Sequence, residues 1–233
     1  MCGSSREIVV LVMYRSFPVC GRRVLIESSV MDFELERGTF DAIVFDCDGT
    51  LVDSAAAHLH SIQQALSALG LAMPPEWYST RRGLGPDDLL DAYEADFQIQ
   101  PLVRPDFYGR VNEVFLANLH LIREIKIVAD VARHWFGTVP MAVGSNGVRR
   151  NVEATLIATR LRPLFYTIVT AGEVKRPKPA PDVYLEAADR MRVKPERVVV
   201  FEDSNEGLEA AHSAGMRAVD IREALTPGSH PVA

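Results

Sequence analysis

The chain has 233 residues, of which 48% are hydrophobic, and a net charge of -6 with an isoelectric point near 5.5. That is material for one medium domain, or for a core with a small insert, around a genuine apolar interior. It argues against a nucleic-acid partner, because the basic pairs Arg81-Arg82, Arg149-Arg150 and Lys175-Arg176 are scattered and form no positive stripe.

The first apolar run, Ile8 to Met13, falls far short of the roughly 20 residues a membrane helix needs, so no membrane association is expected. Arg6 before it and Cys20-Gly21 after it loosely imitate a signal peptide. Residues 1–38 read better as an N-terminal extension, disordered or mis-started, with Met31 as the start just ahead of the first clear strand. Cys2, Cys20 and Cys47 are too few and too scattered for a disulfide framework and lack the paired spacing of a zinc site. A reducing, cytoplasmic compartment is expected.

From Phe40 onward short strands alternate with helices. Residues 42–45, 141–144, 167–170, 197–201 and 218–221 are near-continuously apolar and rich in β-branched side chains, as the buried strands of a parallel sheet are. Residues 152–158, 181–191 and 206–214 carry helical patterns between them, the last closed by Gly215. The expected fold class is α/β, with a doubly wound parallel sheet.

One connection breaks the rhythm. The first strand ends at Phe45 and the second begins only at Met141, much more chain than a βα crossover uses. Leu59, Ile62, Leu66 and Leu69 fall on one helical face with Gly70 as the stop, and Leu89, Leu90, Tyr93 and Phe97 repeat the spacing. Residues 55–126 therefore read as a small inserted α-helical domain, leaving the core as 39–54 and 127–225 and residues 226–233 as a loose C-terminal tail.

Open α/β sheets bind ligands beyond the carboxyl ends of their strands, and those ends are polar here. Asp46 and Asp48 follow the first strand, Ser145-Asn146 the second and Glu202-Asp203 the fourth, while Lys178 lies in the loop beyond the third. Carboxylates converging on one rim repel each other and lose hydration, so a positive charge must hold them. Mg²⁺ suits oxygen ligands of this kind and is typically shared with a substrate phosphate. A lysine and a hydroxyl in the same pocket would serve the remaining phosphate oxygens. Alternation along extended chain lets Asp46 and Asp48 point one way and Cys47 the other, which makes Cys47 a small core residue. Gly49 permits a sharp turn, and Thr50 is expected to hydrogen-bond across it. A carboxylate beside a metal can attack phosphorus to form an aspartyl phosphate, with the second carboxylate doing the proton work.

Asp46-Cys47-Asp48-Gly49-Thr50-Leu51-Val52-Asp53-Ser54, followed in order by Ser145-Asn146, Lys178-Pro179-Ala180-Pro181-Asp182 and Phe201-Glu202-Asp203-Ser204, resembles the haloacid dehalogenase superfamily. The resemblance runs from residue 40 to about 222, and four elements in order are far more specific than a lone Asp-x-Asp-Gly-Thr. It implies a nucleophile at Asp46, a general acid/base at Asp48, and phosphate binding by Ser145, Asn146 and Lys178. It further implies Mg²⁺ held by Asp46, the Asp48 carbonyl and Asp203, with Glu202 acting through water. The insert matches the helical cap of the β-phosphoglucomutase-like branch, and residues 140–145 and 200–203 resemble sugar-phosphate phosphatases of the fructose-1-phosphate type.

Within that branch the mutases carry Gly-Val-Ser-Arg-x-x-Ser to grip the far phosphate of a bisphosphate. The corresponding segment is Gly83-Leu84-Gly85-Pro86-Asp87-Asp88-Leu89, where Pro86 and Leu89 replace the arginine and serine and two carboxylates would meet that phosphate. This favours hydrolysis of a small phosphorylated metabolite, a sugar phosphate, over a phosphohexomutase. Arg82 offers a compensating charge, although a single loop arginine is more often a solvated surface residue. His58 falls where cap-bearing relatives place a histidine toward substrate, to contact a sugar hydroxyl or assist Asp48, or it is a partly buried helix residue. His60, His120, His134 and His212 read as structural, and Trp77, Tyr78 and Trp135 as packing. A dehalogenase is disfavoured because that chemistry needs neither metal nor Asp48. A non-catalytic binder of phosphorylated metabolites is the rival of another class. A monomer is expected, with an oligomer left open.

Overall fold

The computed structural model describes residue 33 and residues 35–81 and 84–225. Cys2, Cys20, Met31, Arg82 and the tail 226–233, all the subject of expectations above, lie outside the described residues. The elements in order are β1 (Ala42–Phe45), β2 (Val52–Asp53), α1 (Ala55–Ser67), α2 (Pro75–Ser79), α3 (Pro86–Phe97) and α4 (Arg104–Ala117). They continue with β3 (Arg123–Glu124), α5 (Lys126–Trp135), β4 (Met141–Ser145), α6 (Arg149–Ala158), β5 (Thr167–Thr170) and α7 (Asp182–Met191). β6 (Val198–Glu202), α8 (Asn205–Ser213), β7 (Arg217–Asp220) and α9 (Ile221–Leu225) complete the described chain.

The main sheet is parallel, in the order β5-β4-β1-β6-β7. Its central strand has the sequence Ala-Ile-Val-Phe and no exposed position, because helices cover both faces. Ile43 and Phe45 join Val143, Leu156, Ile168 and Phe201 on one side, and Ala42 and Val44 join Val169, Tyr184, Val200 and Ala210 on the other. Phe33 also belongs to the first cluster, its ring 5.2 Å from that of Phe201 in an edge contact. The chain order reverses between β1 and β6, which makes their shared end the topological switch point. Phe45 lies opposite Phe201, and the pairing runs one residue further, with Asp46 N donating to Phe201 O over 3.0 Å. Asp46 and Glu202 are thereby placed side by side.

Helices α1 to α4 form a lobe with its own apolar cluster, in which Leu66, Met73, Leu90, Tyr93 and Phe107 are buried. The chain leaves the core and returns to it through β2 and β3, which pair antiparallel with Val52 opposite Glu124 and Asp53 opposite Arg123. Ile125 N donates to Leu51 O alongside, so the two crossings are tied together. One expectation fails in the lobe. Leu69 does not share the buried face of α1 but is 53% exposed. The helix ends at Ser67 and Gly70 turns the chain with φ +73°, so Leu71 packs against the cluster and its N–H returns to Leu66 O. The short helix α2 and the polar helix α4 escaped the periodicity reading, since α4 buries only Phe107 and Phe115.

Candidate active site

The segment after β1 turns back on itself. Gly49 sits at φ +94°, its N–H donating to Val52 O, and Leu51 and Val52 donate back to Cys47 O. A side chain is barred at Gly49 for a second reason, because a Cβ there would lie 2.2 Å from Asp203 Oδ2. Asp203 thus packs directly on the turn. Thr50 is a correction to the expected local bond, since its hydroxyl reaches Asp203 Oδ1 at 3.0 Å instead of spanning the turn. Cys47 faces away into the sheet's apolar cluster and is fully buried, where burial and the neighbouring Asp48 and Asp46 push its thiol well above the usual range. Such a thiol is unreactive.

Lys178 is the positive centre. Its Nζ lies 2.8 Å from Asp46 Oδ1 and 2.6 Å from Glu202 Oε1, over the Tyr184 ring at 4.7 Å. Asn146 holds the lysine's backbone from both sides, accepting from Lys178 N at 2.9 Å and donating to Lys178 O at 3.1 Å. The Asn146 side chain is therefore spent on positioning Lys178. Ser145, the last residue of β4, is buried and accepts from Gly147 N at 2.9 Å, leaving its hydroxyl proton for another partner.

Glu202 was expected to work through water, yet protein groups take both its oxygens. Oε1 accepts from Lys178 and from Tyr184 Oη at 2.9 Å, while Oε2 accepts from Asp203 N, Ser204 N and Ser204 Oγ at 2.8, 2.9 and 3.0 Å. Gly207 gives it room, since a Cβ there would lie 1.7 Å from Oε1. Tyr184 and Gly207 escaped the sequence reading, the first because its partner is met only across the sheet and the second because a helical glycine carries no local signal.

The two aspartates of the turn differ. Burial, with help from Glu202 and Asp203, pushes the Asp46 carboxyl well above the usual carboxylate range despite Lys178. Burial and Glu202 also push Asp203 up to about 6. For Asp48 burial works in the same direction but is outweighed by hydrogen bonding, and the carboxyl stays below its ordinary value. Ser54 Oγ donates to Asp48 Oδ1 at 2.6 Å, and His58 Nε2 lies 3.5 Å from the same oxygen, its ring tilted over Phe115. Asp46, Asp48, His58, Ser145, Asn146, Lys178, Glu202 and Asp203 all line one cavity of about 1330 Å³, roofed by Ile62, Leu89, Leu90 and Phe107 of the lobe.

Residues 43–221 match the family described as haloacid dehalogenase-like hydrolases. The chain belongs to that family. This haloacid dehalogenase-like hydrolase is 33% identical to the fructose-1-phosphate phosphatase YqaB of Escherichia coli over 78% of its own length and 97% of the relative's. It is 27% identical to a phosphorylated carbohydrates phosphatase of Thermotoga maritima, covering 77% of this chain and 83% of that one. The crystal structure of CbbY from Rhodobacter sphaeroides in complex with phosphate superposes with a TM-score of 0.68 at 30% identity, over 77% of this hydrolase and 84% of CbbY.

Proposed function

We propose that this hydrolase is a Mg²⁺-dependent phosphomonoesterase acting on a small phosphorylated carbohydrate through an aspartyl phosphate on Asp46. The observation that carries the reading is the pairing, in one lobe-covered cavity, of Asp46 against Lys178 with Asp48 on the same turn. The relatives that act on phosphorylated sugars support the substrate class.

The donor set fits a hard divalent cation. Asp46, Glu202 and Asp203 offer oxygens within 4.8 Å of one another, and burial together with the neighbouring carboxylates raises the carboxyls of Asp46 and Asp203, an opposition to their ionised forms that a cation would offset. With Glu202 occupied by protein donors, Asp46, Asp203 and the Asp48 carbonyl would hold Mg²⁺. When bound, the ion supplies charge neutralisation to the transferring phosphoryl group.

In the first half-reaction an Asp46 oxygen attacks phosphorus in line, and the bond from phosphorus to the leaving oxygen breaks. Asp48 gives that oxygen its proton. Ser54 and His58 favour the ionised form of Asp48, but an arriving phosphate is a like charge that raises the carboxyl again. In the second half-reaction Asp48, now ionised, takes a proton from the water that cleaves the acyl phosphate. Lys178 and Ser145 neutralise and bind phosphoryl oxygens throughout, as a reaction governed by positioning and charge requires. The test is inorganic phosphate release from a panel of sugar phosphates and other small phosphomonoesters, with and without Mg²⁺. Mg²⁺-dependent release is expected, and its absence from every ester would sink the proposal.

A further inference from the structure

The wall of the cavity opposite the carboxylates is built by the helical lobe and is largely apolar, with Ile62, Met73, Leu90 and Phe107 among its residues. Its polar groups are mostly committed within the lobe. Thr80 Oγ1 donates to Trp77 O at 3.0 Å, Arg81 pairs with Asp96 at 2.8 Å, and Tyr108 Oη donates to Asp87 Oδ1 at 2.7 Å. Asn112 on α4 is different. It lines the cavity, and its Oδ1 accepts from Asn151 Nδ2, on α6 of the core, at 2.8 Å. Its own amide nitrogen has no protein partner among the described residues and is not sealed from solvent.

The other member of the pair shows an imbalance. Asn151 Oδ1 is buried with no hydrogen-bond partner, a position that buried amide oxygens rarely occupy. The fold tolerates that loss while Asn151 uses its donor to fix the rotation of a neighbouring amide. An asparagine whose oxygen is pinned in this way presents its two N–H donors in a set direction. On a wall of apolar side chains, a fixed neutral donor selects for an oxygen acceptor on the ligand and adds no charge.

The geometry points to Asn112 as a specificity residue that donates to a hydroxyl oxygen of the leaving group, with Asn151 as the positioning residue that aims it across the junction between lobe and core. The inference rests on the phosphomonoesterase reading and deepens it, since it selects for polyhydroxylated esters over aryl or alkyl ones.

The discriminating substitution is Asn112→Asp. It keeps the oxygen that accepts from Asn151, and with it the link between α4 and α6, but removes the donor. Steady-state kinetics with the best sugar phosphate and with p-nitrophenyl phosphate, whose leaving group has no hydroxyl, would be measured for Asn112→Asp, Asn112→Ala and Asn151→Ala, with thermal melts confirming folding. Both Asn112 variants are expected to lose about tenfold in kcat/KM on the sugar phosphate, the scale of one hydrogen bond, while p-nitrophenyl phosphate changes less than about twofold. Asn151→Ala is expected to raise KM for the sugar phosphate and leave kcat and the aryl ester unaltered. Wild-type behaviour of Asn112→Asp on the sugar phosphate would overturn the inference, leaving the pair as an interlobe clasp. An equal loss on both substrates would overturn it as well, by pointing to lobe closure. Turnover of the aryl ester with no sugar phosphate hydrolysed would refute the specificity role and leave the phosphomonoesterase reading standing, whereas turnover of neither would remove both.

Discussion

Asp46 and Cys47 are chain neighbours with opposite fates. The carboxyl of Asp46 is raised by burial among carboxylates, so its charge opposes folding, whereas the Cys47 thiol is packed as an apolar group. Asp46→Asn removes the proposed nucleophile but keeps an oxygen to accept from Lys178. Phosphate release is expected to vanish while the melting temperature holds or rises; a variant that retains substantial activity would exclude the covalent role. Cys47→Ala is expected to lower stability by about 1 kcal/mol in a denaturant titration, with most of kcat intact. A folded but inactive Cys47→Ala protein would mean that the thiol has chemistry after all. Asp203→Ala is expected to move the Mg²⁺ concentration for half-maximal activity up by more than about tenfold, and an unchanged midpoint would remove Asp203 from the ligand set.

Among the elements, α3 and α4 are joined by ions as well as by apolar packing. Glu94 is buried and accepts from Leu102 N at 2.7 Å, from Arg104 Nη1, and from Arg104 Nη2 at 3.0 Å. The Arg104 hydrogen bond, against burial and with help from Leu102, holds the Glu94 carboxyl below its ordinary value. A depressed carboxyl stabilises the fold above its unfolded pKa, near 4.3, and loses that contribution as pH falls through the lower folded value. Acid is thus expected to weaken the lobe below about pH 4 in the wild type. Glu94→Gln should cost about 1–2 kcal/mol near neutrality and flatten this acid limb. Parallel pH-dependent melts of the two proteins read the difference, and superimposable curves would show that the ion pair contributes nothing.

At the scale of the whole molecule, the core supplies Asp46, Asp48, Ser145, Lys178, Glu202 and Asp203, and the lobe supplies the roof. Folding therefore assembles a set of like charges around one lysine, and a divalent cation that binds only the assembled set stabilises the native state by mass action. At a hundred times its dissociation constant, Mg²⁺ should add about 2.7 kcal/mol and raise the melting temperature, with chelator reversing the shift. A melting curve indifferent to Mg²⁺ would argue against the carboxylate cluster as its site.

Much of this was legible in the chain alone. The five core strands were, because each is a short apolar run set between turns, and β4, β6 and β7 differ from the reading by one residue at their ends. The turn after β1 was legible because Asp-Cys-Asp-Gly-Thr combines alternation with a residue that tolerates φ +94°. Local pattern could not assign partners across the fold. Thr50 bonds Asp203, Asn146 holds Lys178, and Tyr184 shares Glu202, each across a gap in sequence that is closed only by the side-by-side parallel packing of β1, β4, β5 and β6 with the segments that follow them. Side-chain periodicity reports which face of an element is apolar, a property of neighbours three or four residues apart. The partner of a polar atom is set by strand order and register, which belong to the packed molecule as a whole.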